Sequence, residues 1–165
     1  MSSQPGLFRK YVLDSSFFID LFTRDGSHPQ DRYVGLWQHF QGQIDREEII
    51  APIEVREELE NNVDEELNRW LSRHRSIFVE TSRPQLEVLQ TIVRAYPAFT
   101  RGRENLADPA VVALSAAEQL AVLTSERYQQ TPSAKFPKIP NLCEQHRVPC
   151  LGINDYLRAE NVILR

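Results

Sequence analysis

Apolar positions recur along this chain in two alternating rhythms: short unbroken runs, and longer segments in which apolar residues return every third or fourth position. Tyr11-Val12-Leu13 is a β-prone run that ends at Asp14, and Ser15-Ser16 supplies N-cap chemistry for a helix through Phe17–Phe22. Gly26, Ser27 and Pro29 mark residues 23–31 as a loop. Leu36, Trp37 and Phe40 stand at helical spacing and predict a helix from Tyr33 to Ile44. Glu48–Ala51 reads as a second strand, followed by Pro52 in the first turn of a helix that runs to Asn61. Leu67, Trp70 and Leu71 predict a helix over Asp64–Arg75, Ser76–Val79 a short strand, and Leu86, Leu89, Ile92 and Val93 one face of a helix over Pro84–Tyr96. Asp108-Pro109 opens a helix over Ala110–Gln119, Leu120–Thr124 is a buried strand, Gln129–Pro140 is an irregular connection, and Val148–Ile153 is the last strand.

Strands alternating with helices imply βαβ units, hence an α/β fold: a three-layer α/β/α sandwich with a mostly parallel central sheet. At 165 residues the chain fits a single domain, 1–165, and it shows no internal repeat.

This order of elements brings acids together. In an open parallel sheet, ligands bind where the carboxyl ends of the strands feed into helices. Asp14 ends the first strand, Glu126 lies just past the strand ending at Thr124, and Glu58 sits in the helix leaving the second strand. Asp108 begins a helix that precedes a parallel strand, so it reaches the same edge. Carboxylates gathered in this way repel one another until they take up protons or a divalent cation neutralises them. Oxygen ligands of this kind suit Mg²⁺ or Mn²⁺, and such a cation can polarise a phosphodiester and activate water. Asp14 and Asp108 are read as the principal metal ligands, Glu58 as a ligand or as acceptor for a metal-bound water, and Glu126 as an outer or second-metal ligand. Ser16 and Thr124 are read as orienting them. Each acid also has a plainer reading alone: Asp108 before Pro109 is a good helix cap, Asp14 a strand end, Glu126 a loop residue, and Glu58 one of four glutamates, with Glu54, Glu57 and Glu60, on an acidic helix face.

Composition adjusts this picture without changing it. With 41% hydrophobic and 25% charged residues the chain is that of an ordinary globular protein, and no apolar run nears the roughly 20 residues of a membrane span. Met1–Lys10 lacks the pattern of a secretory signal, so the cytoplasm is the expected compartment. The net charge of −4 argues mildly against a nucleic-acid ligand, although acids that hold a metal lower the total while Arg69, Arg73, Arg75, Arg101 and Arg103 remain as phosphate contacts. Two cysteines are too few for a disulfide scaffold, and Cys143, His146 and Cys150 match no standard zinc motif. His28, His39, His74 and His146 are read as structural or surface residues. A dehalogenase-like phosphatase also ends its first strand in aspartate, but it needs a second aspartate two positions on, where this chain has Ser16.

Taken together, these residues resemble the PIN domain family, specifically PIN-like proteins of the DUF4411 type with a Lys-Ile-Pro-Asn segment near the end. Tyr11-Val12-Leu13-Asp14-Ser15-Ser16-Phe17 resembles the opening strand and first acid, Val55-Arg56-Glu57-Glu58-Leu59 the second, Ala107-Asp108-Pro109-Ala110 the third and Leu123-Thr124-Ser125-Glu126 the fourth, where many relatives have aspartate. Lys138-Ile139-Pro140-Asn141-Leu142-Cys143 and Val148-Pro149-Cys150-Leu151 resemble the closing segment. Glu58 is preferred over Glu57 as the second acid because it directly precedes Leu59, although the neighbouring glutamate leaves that choice open by one residue. The resemblance implies metal-dependent cleavage of single-stranded RNA by an endoribonuclease and a toxin role beside an antitoxin protein; a second copy of the chain, as a homodimer, is a further candidate partner, and the lack of a long apolar run sets aside a membrane. The alternative is a PIN-like module that binds RNA or protein without cleaving.

Overall fold

Tyr11, Val12 and Leu13 are all buried and have a strand on either side, which makes the first apolar run the centre of the sheet. The computed structural model describes residues 8–62 and 64–164. In chain order its elements are β1 (Tyr11–Leu13), α1 (Ser15–Phe22), α2 (Val34–Asp45), β2 (Ile49–Pro52), α3 (Ile53–Glu60), α4 (Glu65–Arg73), β3 (Phe78–Val79), α5 (Arg83–Ala95), α6 (Ala107–Glu118), β4 (Ala121–Leu123), α7 (Ile139–Gln145), β5 (Cys150–Leu151) and α8 (Ile153–Ala159). The five strands lie in the order β3-β2-β1-β4-β5 and every pairing is parallel. The result is the three-layer α/β/α sandwich with a parallel central sheet that the alternation of apolar rhythms predicts.

The strand order matters for function. From β1 the chain moves outward to β2 and β3, then crosses back to β4 and β5 on the other side, so the connections leaving β1 and β4 diverge. A crevice opens at their carboxyl ends, the usual ligand site of such sheets. The register Leu13↔Leu123 sets the next residues, Asp14 and Thr124, side by side at that point.

Packing fixes the two outer layers. α6 lies against β1, β2 and β4 and packs on α5 and α7. Elsewhere aromatic side chains interlock: Phe18 of α1 meets Trp70 of α4 at 4.6 Å between ring centroids, and Phe17 meets Tyr156 of α8 edge-on at 5.4 Å. Burying each such ring is worth about 1.5–3 kcal/mol, so α1, which follows directly on the first acid, is pinned from two sides. A polar knot closes the far edge of the sheet, where Glu160 accepts from Tyr11 Oη and Gln43 Nε2, each at 2.6 Å.

Several elements differ from the sequence expectation. α6 starts at Ala107 with Leu106 flanking it, so Asp108 lies inside the first turn and caps nothing. Pro109 is tolerated there because first-turn amides have no intrahelical partner. α1 starts at Ser15, and Asp14, which flanks it, makes no capping bond because its carboxylate is engaged elsewhere. The last strand is only Cys150–Leu151, and Ile153 opens α8. The stretch read as irregular ends in α7 rather than a loop. Helices as short as α7 and α8 depend on tertiary support, which α7 draws from the burial of Ile139 and Leu142.

Candidate active site

The site is built on Asp14, which is 2% exposed and stands at the end of the central strand. Its Oδ2 accepts hydrogen bonds from Ser16 Oγ and, at 2.7 Å, from Thr124 Oγ1. Burial pushes this carboxyl up to about 6; the two hydroxyl donors pull it down, and the charges of Glu126 and Glu58 push it up further. Asp108, partly buried in the first turn of α6, is pushed up to about 8, first by burial and then by the charges of Asp14, Glu126 and Glu58, with Lys138 opposing. The charges of Glu58 and Glu126 thus bear on both aspartates at this edge. Among the described residues, however, no three His, Cys, Asp or Glu side chains are grouped closely enough to hold one metal ion.

The two outer acids are held differently. Glu58 Oε2 accepts from Ser15 Oγ at 2.8 Å, which ties the middle of α3 to the start of α1. Its neighbour Glu57 turns away and takes Arg103 Nη2 at 2.6 Å. Helix phase explains the difference, for Val55 and Leu59 are buried and Glu58, three residues after one and adjacent to the other, flanks their face. Of the two glutamates left open by the sequence, Glu58 is the one beside Asp14. Glu126 is engaged by α7: its Oε2 accepts from Ile139 N at 2.8 Å, and Lys138 Nζ lies 3.4 Å from Oε1.

A cleft of about 460 Å³ runs from Glu58 past Glu54, Glu57, Glu60 and Glu104, with Arg103 in its wall. A second, of about 380 Å³, is lined by Thr124, Ser125, Glu126, Arg127, His28 and Asn154. Glu58 lines the first and Glu126 the second, and Asp14 and Asp108 line neither.

Sequence reasoning missed Ser15, assigned only to capping, and the tether between Glu126 and residues 138–139. The signals that could have found them are a serine just after a strand-ending acid and a lysine at the head of the Lys-Ile-Pro-Asn segment. Three of the histidines have partners outside the acids: His39 bonds Glu160, His74 stacks on Trp70, and His28 packs on Tyr33 while also lining the cleft beside Glu126. Cys143 and Cys150 are free thiols.

Among solved structures, the chain is similar to FitAcB from Neisseria gonorrhoeae, at 11% identity and a TM-score of 0.51, over 86% of this chain and 96% of that one. It is also similar to PAE2754 from Pyrobaculum aerophilum, at 15% identity and a TM-score of 0.46, over 97% of this chain and 94% of that one. The first likeness is one of fold. No curated protein matches the chain. No helix among the described residues is long and apolar enough to cross a membrane. Residues 11–164 match the model described as "Domain of unknown function (DUF4411)", so the chain belongs to the DUF4411 family.

Proposed function

We propose that this protein is a metal-dependent endoribonuclease that cuts single-stranded RNA and acts as the toxin of a pair with an antitoxin protein. The observation that carries this reading is the pairing of Asp14 and Asp108 at the switch point of a parallel sheet. Both carboxyls are raised, first by burial and then by the charges of neighbouring acids, and the nearby cation, Lys138, is bound to Glu126 instead. Acids perturbed by burial and by neighbouring charges are a frequent mark of function.

The donor set fits a hard divalent cation, since every acid and hydroxyl at the edge offers oxygen. Asp14, Asp108 and Glu58 are the residues that would hold it once their side chains close on it, since among the described residues no three are grouped around one point without it, with Glu126 outside them. Bound there, Mg²⁺ or Mn²⁺ supplies a Lewis acid for phosphodiester oxygen and an activated water. The chain's own residues prepare the place. Thr124 and Ser16 fix one face of the Asp14 carboxylate, Ser15 fixes Glu58, and no histidine is needed as base. The PIN-like fold shared with FitAcB supports a nuclease, and the resemblance noted in the sequence supports the toxin role.

A second reading, an RNA- or protein-binding module without cleavage, is favoured by two features. Glu126 commits its carboxylate to α7, and no three donors among the described residues are grouped around one point.

Incubation of purified protein with single-stranded RNA separates the two. A nuclease cuts with Mg²⁺ or Mn²⁺, stops with a chelator and resumes when metal returns. Tight RNA or protein binding without cleavage, across several RNAs and both metals, replaces it with the binder.

A further inference from the structure

The Lys138-Ile139-Pro140-Asn141 segment holds none of the acids, yet it is tied into the site at three points. Ile139 is fully buried and donates its amide to Glu126 Oε2 at 2.8 Å. Lys138 places its ammonium 3.4 Å from Oε1 of the same carboxylate. Asn141, 3% exposed, clamps the intervening connection by accepting from Gln129 N at 3.1 Å and donating to Gln129 O at 2.8 Å.

The two partners of the ion pair differ in exposure: the Lys138 side chain is 48% exposed and that of Glu126 is 18%. The glutamate is therefore the covered anchor and the lysine the group presented to solvent. A half-exposed pair of this kind adds little to stability, typically ~0–1 kcal/mol, so folding alone gives Lys138 no strong role. The acids set a different requirement. The cleft beside Glu58 is walled by glutamates, and Arg103, the cation in its wall, is held on Glu57 at 2.6 Å, a closer tie than the 3.4 Å between Lys138 and Glu126. A polyanion drawn to Asp108 meets a negative surface, and Lys138 is the cation whose charge reaches that aspartate.

Resting on the reading that RNA is brought to this acidic edge, we infer that Lys138 is a phosphate-binding residue of the site. Its ammonium, aimed by Glu126, contacts a backbone phosphate oxygen of single-stranded RNA beside the acids. Lysine serves this role as a point charge that does not need planar geometry.

The test is RNA binding by the full chain with Ca²⁺ in place of Mg²⁺, measured by anisotropy of a labelled single-stranded oligonucleotide across a range of salt concentrations. Lys138→Gln is expected to weaken binding roughly threefold to tenfold at low salt and to flatten the slope of log affinity against log salt by ~0.7, the contribution of one phosphate contact on a single strand. Lys138→Arg keeps both values. Lys135→Gln, which removes an equal charge from the exposed connection three residues away, changes the slope by less than half as much. Circular dichroism and thermal melting of Lys138→Gln match the parent. An unchanged slope in Lys138→Gln, an equal loss in Lys135→Gln, or wild-type protein that does not bind RNA overturns the inference. Wild type that binds, shows the Lys138 dependence and yet cuts no RNA with Mg²⁺ or Mn²⁺ overturns the nuclease reading and leaves the phosphate contact standing.

Discussion

Thr124 donates its hydroxyl to Asp14 Oδ2 at 2.7 Å, joining residues that are 110 positions apart in the chain. The contact follows from register, since Leu13 pairs with Leu123 and Asp14 and Thr124 come next on the two strands. Removing the donor while keeping the shape, as in Thr124→Val, leaves Asp14 with one hydroxyl and lifts its carboxyl further. RNA cleavage is expected to fall roughly 10–100-fold, the usual cost of losing a group that orients a metal ligand. Thr124→Ser retains most activity. Equal activity in the valine and serine variants, measured by single-turnover cleavage, contradicts this role.

Asp14→Asn and Asp108→Asn each remove one charge from a repulsive group. Both are expected to abolish metal-dependent cleavage while the far-ultraviolet spectrum stays that of the parent, and metal-free thermal stability holds or rises. Because Asp108 lies inside the first turn and caps nothing, a marked loss of stability in Asp108→Asn would mean that its carboxylate supports the fold rather than straining it.

Acid stability supplies a separate check. The folded state raises Asp108 from its ordinary 3.8 to about 8, so between those values the folded chain holds a proton that the unfolded chain has lost. This contribution to stability is complete below the unfolded value and disappears as pH rises through the folded one. With chelator present, the melting temperature of the parent is expected to decline by several degrees relative to Asp108→Asn between pH ~4 and ~8. A difference between the two that stays constant over this range counts against the burial and repulsion assigned to Asp108.

Glu126 is the acid whose replacement should affect structure most. Glu126→Ala leaves Ile139 N without its acceptor and frees the start of α7. The expected cost is about 1–3 kcal/mol, the range for a lost hydrogen bond to a charged group in a partly buried place. Amide hydrogen exchange should rise across residues 138–145 and stay unchanged in β1. Uniform protection in both segments would assign Glu126 no tether.

How much of this was legible beforehand depends on the distance over which each decision is made. The central strand, the aspartate at its end, the order of strands and helices and the parallel three-layer arrangement follow from local apolar periodicity, which the chain carries residue by residue. The choice between Glu57 and Glu58 stayed open in the sequence, and only the burial of Val55 and Leu59 in α3, with the bond from Ser15, puts Glu58 on the side facing Asp14. What lay beyond the sequence were partnerships made across space. Ser15 reads as a cap until α3 is seen beside it, and Asp108 before Pro109 reads as a cap until Ala107 is found inside the helix. Glu126 reads as a free loop acid until α7 swings Ile139 and Lys138 onto it. α7 and α8 themselves are too short for local propensity to announce them, because helices of that length form only when packing offsets the cost of their nucleation. The sequence therefore determined which acids reach the edge of the sheet, and the tertiary structure decided which hydroxyls, amides and cations hold them there.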